Sequence, residues 1–120
     1  MNVPDAPQPE CDFAEWNEEM VARNNPEQYL FNSRWIVRWI EEKRVRAILR
    51  LLRSDARHRA LEVGCGSGHI LRRIEACERH GVDLSRRMIA KARQVVPQGL
   101  FQLANAEDLP YPDESFERVF

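Results

Sequence analysis

The chain predicts an α/β protein, a doubly wound parallel sheet with helices ahead of it. Three observations carry that expectation. A short apolar run, Ala60-Leu61-Glu62-Val63, ends in a turn with glycine at positions 64, 66 and 68. Beyond it, apolar runs too short for helices alternate with stretches of helical periodicity, the order expected of parallel strands joined by crossovers. The second run ends on a carboxylate, Asp83, nineteen residues after Gly64.

Size and composition bound the reading. In 120 residues there is room for one domain. Apolar content of 43% and charged content of 31% are those of a soluble globular chain. No run approaches the roughly 18 apolar residues of a membrane span, and no basic-then-apolar leader opens the chain. Three cysteines, an odd number without paired metal spacing, point to reduced thiols in the cytoplasm and to no metal site. Charge is uneven. Residues 1–27 hold seven acids and one Arg, residues 28–93 hold sixteen Lys or Arg against seven acids, and residues 94–120 hold five acids and one Arg. The cations are spaced along helices as solvated faces require, and aromatics interleave with them only over residues 29–39. This pattern argues against nucleic acid as a partner.

Along the chain, residues 1–12 carry Pro4, Pro7 and Pro9 and few apolar residues, as a flexible tail would. Residues 13–59 form a helical segment. Phe13 to Ala22 is a short helix with Phe13, Trp16 and Met20 on one side. Asn25 as cap and Pro26 at the first position start a longer helix, which runs to about Arg53 with a break near Asn32-Ser33. Its stripe of Trp35, Ile36, Trp39, Ile40, Val45, Ile48, Leu49 and Leu52 predicts packing on the domain, a role compatible with a lid over the site. Residues 60–120 form the sheet region: a strand over 60–63, the glycine turn, a helix over 69–77 with Ile70, Leu71, Ile74 and Cys77 inward, and a strand over 80–83. Ser85 then caps a helix carrying Met88, Ile89, Ala92 and Val96. A third strand follows over 100–104, then a loop with Pro110 and Pro112, and a fourth strand opens at Phe116. This is a Rossmann-like half-domain, apparently truncated after the start of the fourth strand, with an exposed sheet edge that calls for a partner: a further copy of the chain or a C-terminal half.

In open parallel sheets, ligands bind beyond the carboxyl ends of the strands. Gly64, Gly66 and Gly68 lie there, and residues without Cβ let a ligand touch the main chain. The helix expected next offers free N–H groups. At the end of the adjacent strand, Asp83 can accept hydrogen bonds from both hydroxyls of a ribose. Asn105, leaving the third strand on the same edge, can both donate to and accept from a base. His69 stands where the dinucleotide fingerprint needs its last glycine, and no lysine supplies a phosphate loop. The turn therefore favours a nucleoside cofactor with a compact charged tail.

With these residues in place, the chain resembles the class I S-adenosylmethionine-dependent methyltransferases, particularly the small-molecule branch related to the ubiquinone/menaquinone-biosynthesis methyltransferases. The resemblance rests on Leu61–Gly68 (LEVGCGSG), Gly81–Ala92 (GVDLSRRMIAKA) and Ala104–Phe120 (ANAEDLPYPDESFERVF). It implies that S-adenosylmethionine is the cofactor and a small molecule the methyl acceptor. Glu62 would orient the loop and the methionine amino group, while Gly64, Cys65 and Gly66 line the methionine moiety with main chain. Asp83 would hold the ribose. Leu84 and Met88 would pack near the adenine, and Asn105 and Ala106 would meet its edge. The family usually has Asp at the position of Asn105, whose amide oxygen accepts without charge assistance. Family members have seven strands, and the methyl acceptor usually sits after the fourth, so no catalytic residue is assigned. Tyr29, His69 and Tyr111 are candidates only for facing the pocket. Two alternatives stay open: a non-catalytic cofactor-binding or interaction module, and a nucleotide-dependent oxidoreductase.

Overall fold

The computed structural model describes residues 12–24 and 34–120. Residues 1–11 of the tail expected over 1–12, the start signal at Asn25-Pro26, the break at Asn32-Ser33 and Tyr29 lie outside the described residues. Four parallel strands form one sheet: β1 (Arg59–Val63), β2 (Glu78–Asp83), β3 (Leu100–Leu103) and β4 (Arg118–Val119), in the order β3-β2-β1-β4. From β1 the chain steps one way to β2 and β3, and β4 then returns to the other side of β1. That reversal makes the carboxyl end of β1 a topological switch point, where a crevice opens in such sheets.

Helix α1 (Phe13–Arg23) starts at Asp12, whose carboxylate accepts the Ala14 N–H at 3.0 Å. None of its residues is fully buried. It is held by charge instead. Its Glu18 accepts the backbone N–H groups of Arg86 and Arg87 at 3.0 and 3.3 Å, the free donors that open helix α3 (Arg86–Val95). Ser85 caps α3 as the sequence predicts, accepting the Met88 N–H at 3.2 Å.

Helix α2 (Trp35–Leu52) ends at Arg53, which takes the left-handed conformation at φ 45°. Its second half packs as expected: Val45 is buried, and Ile48, Leu49 and Leu52 lie against the core. Its first half does not. Trp35, Ile36, Trp39 and Ile40 are 45–76% exposed. The apolar stripe is too wide for one packed face. At 100° per residue, Trp39, Ile36 and Ile40 lie opposite Val45 and Leu52 and cannot reach the same surface.

The core lies between the sheet and these helices and holds Ala60, Cys65, Ile70, Leu71, Ile74, Ile89, Ala92, Val96 and Phe101. On the other face, Leu61 sits under the 106–116 loop, where the rings of Tyr111 and Phe116 meet His80 edge-on at 5.6 and 4.8 Å. The expected helix over 69–77 is absent. One 3-10 turn, Leu71–Arg73, takes its place, and the chain is extended from Ile74. Ile70, Leu71 and Ile74 are buried as expected, but Cys77 is exposed.

Candidate functional site

Two adjoining cavities open at the switch point. The larger, about 400 Å³, lies between the glycine loop and the two N-terminal helices. The smaller, about 240 Å³, continues past the end of β2 toward Asn105. Asn17, Val63, Gly64 and Asp83 line both.

Gly64 and Gly66 have φ of +74° and +51°, and a Cβ at either would meet no protein atom within 4 Å. The loop thus shows main chain to open space, in a conformation that side-chain-bearing residues resist. Its shape is held from two sides. The Gly64 and Cys65 N–H groups both donate to the Val82 carbonyl, at 2.8 and 2.9 Å. The Gly66 N–H donates to the Asp83 carboxylate at 2.8 Å. The other carboxylate oxygen of Asp83 accepts the Ser85 N–H, also at 2.8 Å. Each oxygen keeps further lone-pair capacity for a ligand hydroxyl.

Glu62 points from β1 into the larger cavity and is 5% exposed. It accepts the Leu71 N–H at 3.2 Å. The free helix N-terminus expected here is therefore replaced by a 3-10 turn whose first donor goes to Glu62. Burial pushes the Glu62 carboxyl up to about 7, against the hydrogen bond from Leu71 and the charge of Arg44. Cys65 lines the cavity, but the residue is only 1% exposed and belongs to the core. Burial, with the charges of Asp83 and Glu62, drives its thiol up to about 12, so it is neither nucleophile nor base.

The remaining predicted residues divide. Leu84, Asn105 and Ala106 line the smaller cavity. The Asn105 side-chain oxygen accepts the Glu107 N–H at 3.1 Å, which leaves its amide nitrogen and one lone pair. Met88 opens on the larger cavity, not on the smaller one with Leu84 and Asn105. Gly68 lines neither; at φ +76° it packs on α3, where a Cβ would stand 3.4 Å from Val96 and 3.5 Å from Ala92. Its lack of a side chain serves helix packing rather than ligand contact. Tyr111 lies on the opposite face of the sheet.

Sequence reasoning missed Asn17 and Val21 of α1, Arg44 and Ile48 of α2, and Phe120 after β4, all of which line the larger cavity. Arg44 is one of sixteen arginines, and nothing in the local sequence separates it from its solvated neighbours. Its Nε donates to Glu41 at 3.0 Å. His69, named only as facing the pocket, does line it.

Residues 61–120 match the family described as a methyltransferase domain, which is half of the chain. The chain belongs to this methyltransferase family. A malonyl-[acyl-carrier protein] O-methyltransferase of Halorhodospira halophila is 39% identical over 69 residues, covering 52% of this chain and 23% of that protein. Methyltransferase GfsG of Streptomyces halstedii is 35% identical over 88 residues, covering 66% and 32%. Among solved structures, a SAM-dependent methyltransferase of Thermotoga maritima superposes with a TM-score of 0.65 at 26% identity, over 85% of this chain and 45% of that one. The chain thus spans 23–32% of the length of these two curated relatives.

Proposed function

We propose that this methyltransferase-family chain forms the S-adenosylmethionine-binding part of an enzyme that methylates a small-molecule acceptor. One observation carries the reading: the Asp83 carboxylate is hydrogen-bonded to the Gly66 N–H, so a ribose-binding acid and a bare main-chain loop face one cavity. On this reading residues 60–120 are the cofactor half-domain and residues 13–59 the helical cover, in a cytoplasmic protein. The family relatives are named methyltransferases, which does not favour the non-catalytic module.

The residues present suit the cofactor. Gly64 and Gly66 leave open space where side chains would stand, and Glu62 supplies a buried acid for an ammonium group. When bound, the cofactor supplies an electrophilic methyl group on a sulfonium. This chain's residues bind and orient. Asp83 takes the ribose hydroxyls through its spare lone pairs. Leu84, Asn105 and Ala106 receive the base, with the Asn105 amide nitrogen as donor. Gly64, Cys65 and Gly66 bring main chain against the amino-acid tail. Asn17, Val21 and Ile48 roof the cavity and limit water, and methyl transfer depends chiefly on such positioning and desolvation.

Calorimetric titration with S-adenosylhomocysteine and with NAD tests the reading. It predicts binding of the former and little or none of the latter; tighter binding of NAD would end it.

A further inference from the structure

Helix α2 shows solvent only two kinds of side chain. Over residues 34–53 every exposed residue is apolar or cationic. The two acids of the helix are partly buried and paired, Glu41 with Arg44 and Glu42 with Arg46 and Arg73. Arg38, Lys43 and Arg50 pair with no acid among the described residues. At about 100° per residue, Trp35, Ile36, Trp39, Ile40 and Leu51 span an arc of about 160° on the side away from Val45. Lys43, Arg46 and Arg50 fall inside that arc. The ammonium of Lys43 stands 5.3 Å from the centre of the Trp39 ring, a cation–π contact at the surface.

This mixture selects the occupant. A protein partner's apolar surface would strip water from three cations in the middle of the contact, where interfaces are depleted of charge. A second copy laid on the face would set like charges against one another. An anionic lipid surface requires neither. Trp and Ile side chains enter the boundary between headgroups and acyl chains, while Lys and Arg stems follow the apolar surface and keep their charge among the phosphates. No helix among the described residues is long and apolar enough to cross a membrane. Independently of the cofactor reading, we propose that the outward face of α2 docks on a membrane surface rich in anionic phospholipid. The helix, 18 residues and about 27 Å long, lies flat on that surface. Its opposite face lines the larger cavity through Arg44 and Ile48. Docking therefore holds the cavity about one helix diameter, ~10 Å, from the headgroups.

The test is sedimentation with vesicles of phosphatidylcholine alone and of equimolar phosphatidylcholine and phosphatidylglycerol. The chain has three tryptophans, so Trp16→Phe confines emission to Trp35 and Trp39 on α2. The chain is expected to sediment with the mixed vesicles only, with a blue shift of that emission, and to be released by high salt. The double variant Lys43→Gln and Arg50→Gln should bind about 25-fold more weakly, roughly fivefold per cation. Trp39→Ser should lose the blue shift and weaken binding as well. All three side chains are exposed, so the core is untouched. Leu100→Ser, at a residue 52% exposed on β3, should change nothing. Failure to sediment with the mixed vesicles would overturn the proposal, as would equal binding to phosphatidylcholine alone or full binding by the double variant. Equal loss in Leu100→Ser would mean unspecific adhesion and also overturn it. So would a chain that ignores vesicles but dimerises, or binds single-stranded RNA, through Trp39. None of these outcomes bears on S-adenosylhomocysteine binding, which tests the cofactor reading separately.

Discussion

Glu62→Gln is expected to stabilise the fold above neutral pH. Glu62 is almost fully enclosed and accepts one hydrogen bond, from the Leu71 N–H. Burial lifts its carboxyl from an ordinary 4.5 to about 7. Below 4.5 the folded and unfolded chains both hold the proton, and Glu62 costs nothing. Between 4.5 and 7 the unfolded chain ionises while the folded one keeps its proton, so the folded state binds more protons and stability falls as pH rises. Above 7 the full cost is present. At about 1.4 kcal/mol per pH unit it amounts to about 3 kcal/mol. Glutamine is nearly the same shape, is neutral at every pH, and can still accept the Leu71 N–H. Urea unfolding of both proteins between pH 4.5 and 8.5 checks this. The two curves should coincide at the acid end and separate to about 3 kcal/mol in favour of the variant by pH 8. A pH-independent difference, or a less stable variant at pH 8, would refute the reasoning. A retained acid that destabilises the fold makes sense if its charge is used, so the same variant should bind S-adenosylhomocysteine more weakly.

Three further outcomes follow from the geometry. Gly66→Ala should lose about 1 kcal/mol of stability from its positive φ and a larger share of cofactor affinity, because the new methyl group enters the open side of the loop; thermal melts and calorimetry separate the two. Glu18→Ala should free α1 from the N-terminus of α3 at a cost of about 1 kcal/mol, seen as faster hydrogen exchange over residues 13–23 with β1 and β2 unchanged. Cys77 should react with a maleimide in the folded protein while Cys65, enclosed and with its thiol pushed up to about 12, should not; peptide mapping by mass spectrometry tells them apart, and labelling of Cys65 at native pH would contradict its place in the core.

Three strands were legible because each ends at or near a punctuating residue: Gly64 after β1, Asp83 closing β2, Asn105 just beyond β3. Ser85 was readable as a cap because its chemistry is local. The helix over 69–77 was misread because periodicity reports which residues face inward, and Ile70, Leu71 and Ile74 do, but that pattern fits a 3-10 turn followed by extended chain as well as it fits a helix. Gly68 looked like a ligand-facing glycine, since sequence cannot tell a turn that meets a cofactor from one that meets Ala92 and Val96. The two faces of α2 merged into one stripe because Trp39 and Val45 are both apolar, although 100° per residue already sets them on different sides of the helix. His69 was readable as facing the pocket, but Arg44 was not, because it reaches the cavity through the placement of α2, which no local spacing encodes.

The account depends on Asp83 and the glycine loop acting as one binding surface. The most direct test is calorimetry of S-adenosylhomocysteine against the unaltered chain and Asp83→Ala. The account predicts binding by the former and a loss of about 1–3 kcal/mol in the variant. An unchanged dissociation constant would put the ribose elsewhere and contradict it.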